Sequence, residues 1–364
     1  MLGLGIIVPL LPIYAESLGA SGLWIGIIFS GFSISRSLFM PMVGRWSDRK
    51  GRKIFIAVGL LIYAIISLGY VLSDSVVALV MVRFIQGFSA AMIIPIAFAY
   101  IGDISPSGRE GGYMGTFSVS LFAGFGLGPV LGGVMKDRFG LNSDFYAMGG
   151  LCLFAFFLVL LYLPELHLYR KSGQSRPYRE IMRSPGAKAL IAFRFGNAFA
   201  RGILMSFVPL FAHGTLGLTA SEIGIILSFN ILSTSLLQAP FGYIADRLTR
   251  RGLVFWGRSW FGLCITLVPH MRSFAHLFAL NAFLGAMGAL ALPAANALVV
   301  EEGRTFGMGA LMGIFNLAMS LGLAVGPILG GVIADRWGLP AIFYFASLVG
   351  STGAAAFAWF SKRK

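Results

Sequence analysis

Long apolar runs recur along the whole sequence and restrict the folds that it can adopt. Most are about 18 to 25 residues long, the length that an α-helix needs to cross the hydrocarbon core of a bilayer. Since lipid offers no water to satisfy backbone N–H and C=O groups, such segments must form helices rather than open strands. We predict twelve spanning helices, at residues 2–17, 23–43, 54–72, 76–100, 111–134, 145–163, 188–212, 221–243, 253–269, 275–300, 308–333 and 341–360.

Composition and charge distribution agree with a membrane protein. Hydrophobic residues make up 57% of the sequence and charged residues 12%, with a mean hydropathy of +0.83, so most of the surface must face lipid. The formal net charge is +14, but lysines and arginines crowd into alternate loops rather than onto one folded face, as a nucleic-acid partner would require. We therefore expect no nucleic-acid partner. The same bias predicts that both termini and the central linker are cytoplasmic.

The sequence contains an internal duplication. The segment Gly44–Lys53, basic and punctuated by glycine, returns in weakened form 198 residues later, at Gly242–Arg251. The same offset relates many glycines and prolines without a gap, among them Pro129 and Pro327. We therefore predict two parallel six-helix repeats, whose symmetry axis lies along the membrane normal. The expected fold is all-α, with an N-terminal bundle at 1–163, a cytoplasmic linker at 164–187 and a C-terminal bundle at 188–364.

The same offset predicts that the sequence lacks part of its first helix. The seventh helix begins near Lys188, so its counterpart should begin about ten residues before Met1. Residues 2–17 are also short for a span, given about 1.5 Å of rise per residue. We therefore expect a truncated first helix.

Four motifs, all between residues 5 and 133, resemble those of the major facilitator superfamily, and the resemblance extends across essentially the whole chain. They are the hairpin Gly44–Lys53, Arg83-Phe84-Ile85-Gln86-Gly87, the glycine series from Gly115 to Gly133, and Gly5-Ile6-Ile7-Val8-Pro9-Leu10-Leu11-Pro12. The first resembles the signature between helices 2 and 3, the second a motif of proton-coupled members, and the third the helix 5 antiporter motif. The fourth looks like helix 1 of twelve-helix bacterial drug:proton antiporters. The resemblance implies a multi-pass protein of the bacterial inner (plasma) membrane.

The basic hairpin and the end of the fourth helix hold candidate residues for a conformational latch. These are Gly44, Asp48, Arg49, Gly51, Arg52 and Asp103. Asp103 shares a membrane face with the hairpin, so Arg52 can pair with it. The resemblance implies that Asp48 meets the N-terminus of helix 11, where a carboxylate complements the helix dipole, and latches the outward-open state. The alternative is an ordinary stop-transfer cluster, but topology requires neither the glycines nor the aspartate.

Helix 5 carries a candidate helix-packing motif of small residues and one proline. It consists of Gly115, Gly124, Gly128, Pro129, Gly132 and Gly133. Helix 11 repeats the spacing in full, which favours a structural role. Glycines let helices 5 and 8, or 11 and 2, approach closely, while the prolines bend them. A role in export follows from the resemblance alone.

Positive charge inside the predicted helices is not matched by acidic residues. Arginines lie within helices at Arg36, Arg83, Arg194, Arg201 and Arg258, whereas acids lie near helix ends at Glu16, Asp103, Glu301 and Glu302. An intramembrane ion costs at least about 2.5 kcal/mol and is a pointer to function. The candidates for a proton or substrate pathway are Arg83, Gln86, Arg36, Arg201 and Glu16. For Arg36 and Arg194, snorkelling of the side chain to the membrane surface is the alternative.

A proton antiporter needs a buried carboxylate that loads and releases protons, and none lies in the middle of a predicted helix. The resemblance places this aspartate about nine residues before the first proline, immediately before Met1. Within the sequence itself, Glu16, or Asp103 together with Arg83, would have to serve. Otherwise the protein is not coupled to protons.

The sequence contains no nucleophile–base pair, phosphate-binding loop or metal cluster, so we expect neither an enzyme nor a bound cofactor or metal. Without an ATP site, transport must run on a gradient. We predict a monomeric secondary active transporter that works by alternating access and exports amphiphilic small molecules in exchange for protons. One alternative is an importer or exchanger of organic anions. Another, from a different class, is a membrane sensor or scaffold that kept the fold without transporting.

Overall fold

This computed structural model describes residues 1–106, 109–165, 178–306 and 308–362. All regular secondary structure within these residues is helical. The first half contains α1 (Leu2–Ile7), α2 (Leu11–Ser17), α3 (Gly22–Lys50), α4 (Arg52–Val71), α5 (Val76–Ile104), α6 (Glu110–Phe139) and α7 (Asn142–Tyr162). The second half contains α8 (Tyr178–Ile181), α9 (Pro185–Gly214), α10 (Ala220–Arg247), α11 (Arg250–Leu267), α12 (Phe274–Phe306), α13 (Met308–Trp337) and α14 (Leu339–Lys362).

Eleven helices in the described residues are long and apolar enough to cross a membrane: α3 to α7 and α9 to α14. This confirms the predicted all-α membrane fold. Most of them extend beyond the predicted spans; α3, for example, reaches Lys50 instead of residue 43. The apolar pattern stops where the charges begin, but the backbone hydrogen bonds of the helix continue through the charged residues.

The first predicted span, 2–17, differs from the prediction because it is divided into α1 and α2. Residues Val8 to Leu10 form a turn, in which Leu10 N donates to Ile7 O at 3.0 Å. Pro9 lacks an N–H and cannot continue the hydrogen-bond ladder of α1. Pro12 stands in the first turn of α2, where a missing N–H costs nothing.

The predicted boundaries between the two bundles and the linker stay a prediction. Residues 166–177 of the predicted linker 164–187 lie outside the described residues. Within the remainder, α9 begins at Pro185, and the Ser184 side chain caps it by accepting a hydrogen bond from Ala187 N at 3.4 Å.

One compact unit, unit 1, comprises Met1–Ala20, Ile27–Lys171 and Thr219–Ser228. Within it, α4 packs against α5 and α7, and α1 packs against α6. A buried apolar cluster joins α3, α4 and α5 near the α3–α4 hairpin and consists of Val43, Ile56, Met92, Ile96 and Tyr100. This cluster places the start of α4 beside the end of α5.

A second compact unit, unit 2, comprises Ser21–Gly26, Ser172–Leu218 and Phe229–Lys364. Its central helix is α9, which packs against α13 and α14. In its 18-residue apolar stretch 72% of the residues are buried, against 17% for α7 in unit 1. A charged side chain midway along α9 is therefore surrounded by protein rather than by lipid.

Candidate functional site

The α3–α4 hairpin carries an ion-pair network, termed the hairpin network, formed by Ser47, Asp48, Arg52 and Asp103. Arg52 Nη1 lies 2.5 Å from Asp48 Oδ1, and Arg52 Nε donates to Asp103 Oδ2 at 3.1 Å. Arg52 Nη1 also donates to Ser47 Oγ at 2.8 Å. The Arg52 and Asp103 side chains are only 12% and 9% exposed, whereas Asp48 is 58% exposed. The buried pair joins the start of α4 to the end of α5.

Gly51 forms the turn between α3 and α4. Its φ is +94°, a conformation that residues with a side chain rarely adopt. A Cβ at this position would also strike the Glu165 carboxylate, which accepts a hydrogen bond from Lys53 N at 3.3 Å. Gly44 has no neighbour within 4 Å of its Cβ position, and Arg49 is exposed with no partner among the described residues. The structure thus brings part of the predicted latch together and leaves these two residues outside it.

The contact expected between Asp48 and the N-terminus of the eleventh predicted span stays a prediction. That span is α13, which begins at Met308. The side chains of its first three residues lie outside the described part of the chain, as does the side chain of Asp246, the repeat counterpart of Asp48.

Arg83 lies in a buried cluster with Phe29, Phe32, Tyr70 and Gln86, termed the Arg83 cluster. Its guanidinium carbon is 5.2 Å from the centroid of the Phe29 ring and 4.7 Å from that of Phe32, both within the range of cation–π contacts. Gln86 Oε1 accepts hydrogen bonds from Arg83 Nη1 at 2.7 Å and from Tyr70 Oη at 2.6 Å. Arg83 Nε has no hydrogen-bond partner in the described residues. Two aromatic rings and one amide therefore hold this charge.

Of the other predicted pathway residues, Gln86 hydrogen-bonds to Arg83, whereas Arg36 and Glu16, both in the described part of the chain, form no hydrogen bond with this pair. Arg36 is half-buried on α3, where its backbone N lies 3.1 Å from the position of a Cβ on Gly87. Glu16 is exposed at the end of α2, and its carboxylate contacts no donor among the described residues. Asp103 pairs with Arg52 rather than with Arg83. The proposed proton-loading pair of Asp103 and Arg83 is therefore not assembled.

The glycines of α6 allow close backbone approach in two directions within unit 1. A Cβ on Gly128 would lie 2.5 Å from the Cα of Gly5 in α1. A Cβ on Gly133 would strike the backbone of Ala220, at the start of α10. The glycines that face α1 are Gly124, Gly128 and Gly132. Gly115 has open space around it, and Pro129 O lies against Gly224 of α10. Five of the six motif residues thus contact a neighbouring helix.

Two aspartates cap helix N-termini at corresponding positions of the two repeats, and we term these contacts the helix caps. In unit 1, Asp137 Oδ2 accepts hydrogen bonds from Ser221 N at 2.8 Å and Ser221 Oγ at 2.6 Å, at the start of α10. In unit 2, Asp335 accepts hydrogen bonds from Gly22 N at 2.6 Å and Leu23 N at 2.9 Å, at the start of α3. Such carboxylates satisfy free N–H groups and complement the helix dipole. Sequence analysis missed them, although the 198-residue offset relates the two positions.

Asp144 is a buried carboxylate that sequence analysis also missed. It has no accessible surface, and neither of its oxygens has a hydrogen-bond partner in the described residues. It lies in the first turn of α7, next to Phe145, whose ring stacks on Tyr70 at a centroid distance of 4.9 Å. The charged groups that act on it electrostatically are Lys136 and Asp137 of α6. Asp144 therefore lies within electrostatic reach of the unit 1 helix cap.

Three arginines, termed the arginine cluster, lie inside unit 2: Arg194 and Arg201 on α9, and Arg258 on α11. Arg258 is 2% exposed, and its Nη2 donates to Gly196 O at 2.9 Å. The Arg194 guanidinium lies 4.7 Å from the centroid of the Phe315 ring. Arg201 is half-buried and acts electrostatically on both of the other arginines. The cluster is thus one region of positive charge in the middle of the unit.

The described residues offer no grouping typical of a metal centre. They contain no group of three or more His, Cys, Asp or Glu that could hold a metal ion, and both cysteines are free. An open cavity of about 720 Å³ lies between α5 and α6. Its lining combines apolar side chains with small hydroxyl groups and one arginine: Ile101, Arg109, Gly112, Tyr113, Thr116, Phe117 and Ser120. Such a lining suits an amphiphilic organic molecule.

Membrane-crossing helices, a duplicated sequence and charges buried inside the helical units define a polytopic carrier. The family model of the Major Facilitator Superfamily matches the chain twice, at residues 1–196 and 190–364. The chain therefore belongs to the Major Facilitator Superfamily, and the resemblance inferred from the sequence motifs is confirmed.

This chain is similar over nearly its whole length to known transporters. It is 27% identical over 356 residues to an uncharacterised MFS-type transporter of Methanocaldococcus jannaschii, covering 96% of this chain and 92% of that protein. It is also 27% identical over 364 residues to multidrug resistance protein MdtG of Proteus mirabilis, with coverages of 95% and 89%. The crystal structure of a bacterial homolog of the human lysosomal transporter Spinster, inward-facing and unoccupied, matches with a TM-score of 0.83. That match covers 99% of this chain and 94% of the other at 15% identity, so it shows the fold alone.

Proposed function

We propose that this protein is a proton-coupled exporter of amphiphilic small molecules that works by alternating access. The family supports transport, and relatives named multidrug resistance proteins support the export of drug-like molecules. The observation that carries the proton coupling is the buried carboxylate of Asp144, which has no partner among the described residues.

The surroundings of Asp144 are those of a proton carrier. A carboxylate removed from water without a donor is costly as an anion and is neutralised by taking up a proton. The described conformation, in which Asp144 has no accessible surface and no donor among the described residues, suits the protonated form. Since Asp144 stands in the first turn of α7, a local opening at that end would expose it to water beside Lys136. Two conformations with different proton affinity are what coupling requires.

The helix cap of unit 1 supplies a link between this opening and the movement of a helix. Asp137 acts electrostatically on Asp144 and also holds the first turn of α10. Loss of the cap would leave the Asp137 carboxylate without its hydrogen-bond donors. Its negative charge would then repel a negative charge on Asp144 more strongly. Release of the α10 N-terminus and a change in proton binding at Asp144 would therefore accompany each other.

Contacts at the two ends of the unit 1 helices are suited to an alternating mechanism. The hairpin network lies where α3 meets α4 and where α5 ends. The cap at Asp137 lies in the last turn of α6, at the opposite end of the unit 1 helices from the hairpin network. In alternating access, contacts at one end break while those at the other form. We assign the hairpin network and the helix caps to these two opposed sets.

The charge distribution supports the orientation of the protein. Basic residues concentrate at the α3–α4 hairpin and at the C-terminus, which favours placing both on the cytoplasmic side of an inner membrane. In that orientation the helix caps and Asp144 lie at the outer side, where protons enter an exporter. We further propose that a single chain is the transporting unit, since the sequence itself carries both repeats.

Reconstituted vesicles with an acidic lumen test the role of Asp144. Wild-type protein should accumulate chloramphenicol in the lumen and release protons from the lumen as it does so. Asp144→Asn should lose accumulation driven by the pH gradient but keep exchange of labelled for unlabelled drug, because exchange needs no net proton movement. Asp74→Asn, which removes an exposed aspartate at the α4–α5 turn, is the matched control and should behave as wild type. Gradient-driven accumulation by Asp144→Asn at the wild-type rate would refute the assignment.

A further inference from the structure

The arginine cluster of unit 2 carries more positive charge than the unit neutralises. The acidic residues of unit 2 with described side chains lie at helix ends: Glu180, Glu301, Glu302 and Asp335. Glu301 pairs with Arg250, and Asp335 caps α3. Arg201, in contrast, lies 13 residues before the end of α9, or about 20 Å along the helix at 1.5 Å per residue. No carboxylate among the described residues contacts the cluster.

Arg258 is enclosed by residues that leave room for its guanidinium. A Cβ on Gly350 of α14 would strike Arg258 Nη2, and Gly196 of α9 provides the carbonyl that accepts its hydrogen bond. The Phe261 ring lies 4.8 Å from the guanidinium carbon. Nε and Nη1 have no hydrogen-bond partner in the described residues. The unit therefore has space for the Arg258 guanidinium but provides, within the described residues, a hydrogen-bond acceptor for only one of its three nitrogens.

Arg201 is the member of the cluster whose guanidinium has no hydrogen-bond partner among the described residues. Arg194 and Arg201 are both half-buried. Arg194 Nη2 donates to Met319 Sδ at 2.8 Å and Arg258 Nη2 donates to Gly196 O, whereas no hydrogen bond or ion pair joins Arg201 to another described residue.

Arg201 Nη2 lies 3.7 Å from the position of a Cβ on Gly288, and Thr234 Oγ1 lies 4.0 Å from the same position. The Thr234 hydroxyl already donates to backbone carbonyls, with Asn230 O at 2.8 Å and Gly285 O at 3.1 Å. The Arg201 guanidinium is therefore the donor that remains for a ligand, beside a glycine of α12 whose absent side chain leaves space.

Electrostatics favours an anion at this place. An uncompensated charge inside a membrane is costly, and the arginines repel one another because Arg201 acts on both Arg194 and Arg258. An anion beside Arg201 would neutralise the Arg201 charge and so remove the cost of burying it. It would also reduce the repulsion that Arg201 exerts on Arg194 and Arg258. A guanidinium binds carboxylates with strong, charge-assisted hydrogen bonds.

We infer that Arg201 binds the anionic group of an amphiphilic carboxylate, and that Arg258 strengthens this binding as a nearby positioning charge. The inference rests on the proposed transport function and names a substrate class for it. Aromatic side chains lie among the arginines of the cluster: the Arg194 guanidinium contacts the Phe315 ring, and the Arg258 guanidinium contacts the Phe261 ring. A substrate with one carboxylate and one aromatic or aliphatic portion matches this combination.

Equilibrium binding to the full chain tests the inference without any gradient. The protein is placed in nanodiscs of zwitterionic phosphatidylcholine and titrated with 4-phenylbutyrate, its neutral amide 4-phenylbutanamide and the cation 4-phenylbutylamine. The carboxylate should bind at least about tenfold more tightly than the amide or the amine, a difference of about 1.4 kcal/mol. Arg201→Gln should abolish this preference, while Arg201→Lys should keep part of it because the charge remains.

Matched variants separate the site from general electrostatics. Arg272→Gln removes the same charge at an exposed loop position and should leave the preference unchanged. Arg258→Lys should weaken carboxylate binding several-fold without abolishing it, since a shorter cation cannot keep the bond to Gly196 O. Equal binding of the three probes by wild type, or an unchanged preference in a folded Arg201→Gln protein, would overturn the inference.

Three further outcomes distinguish the site from the transport function. If phosphatidylglycerol added to the discs abolishes carboxylate binding competitively, the occupant is a lipid headgroup and the substrate assignment is wrong. A carboxylate preference that persists in protein with no gradient-driven flux would leave this site intact and refute the proposed transport function instead. Conversely, proton-coupled drug flux without any carboxylate preference would refute only the site.

Discussion

Neutralising Asp103 should destabilise unit 1 far more than neutralising Asp48, although both carboxylates contact the same guanidinium. Arg52 and Asp103 are 12% and 9% exposed, so their ion pair is largely shielded from water. Breaking a buried pair costs about 3 to 5 kcal/mol. We take about 2 kcal/mol for Asp103→Asn, because Asp48 remains to neutralise Arg52. Asp48 is 58% exposed, so water replaces it, and Asp48→Asn should cost about 0.5 kcal/mol.

Thermal unfolding of the purified protein in detergent measures this difference. For a unit of this size each kcal/mol shifts the Tm by about 2 to 4 °C, so Asp103→Asn should lower it by about 4 to 8 °C and Asp48→Asn by about 1 to 2 °C. Glu16→Gln, at an exposed carboxylate with no described partner, is the control and should leave the Tm unchanged. Equal shifts for Asp48→Asn and Asp103→Asn would refute the reasoning, because exposure would then not determine the strength of these pairs.

Two other substitutions test the turn and the caps. Gly51→Ala should destabilise the protein by about 1 to 3 kcal/mol, because φ is +94° and the new methyl group would strike the Glu165 carboxylate. The control is Gly112→Ala, at a helical glycine with open space around its Cβ position. It should be neutral or slightly stabilising in the same melting experiment. Asp335→Ala should cost about 0.5 to 2 kcal/mol and accelerate hydrogen exchange at the amides of Gly22 and Leu23, which lose their acceptor; unchanged exchange at both amides would show that the cap does not persist in solution.

The helices and their duplication were predictable from the sequence because lipid imposes a length and a hydropathy that do not depend on tertiary packing. The contact of Arg52 with Asp103 was also within reach, since two opposite charges lie at the ends of adjacent helices on one membrane face. The interruption after α1 follows from Pro9, which lacks a backbone N–H. The apolar pattern continues without a break across this proline, so hydropathy alone predicts a single helix.

The remaining site residues could not be predicted, because tertiary packing determines their state. Asn142-Ser143-Asp144 has the composition of a loop, and only tertiary packing leaves the carboxylate without accessible surface. Asp335 caps a helix that lies 312 residues away in the chain, a separation that local patterns do not reveal. For Arg258 the sequence indicated a buried charge, yet the enclosing glycines on α9 and α14 are specified by the fold.

The central claim is that this chain moves a molecule across a membrane at the expense of a proton gradient. The most direct test is drug accumulation by the wild-type chain in sealed vesicles with an acidic lumen and a neutral exterior. We predict accumulation against the drug's own concentration gradient, with alkalinisation of the lumen and collapse of both signals when a protonophore is added. Drug binding with no flux under any imposed gradient would contradict the account and would favour a sensor or scaffold that has kept the transporter fold.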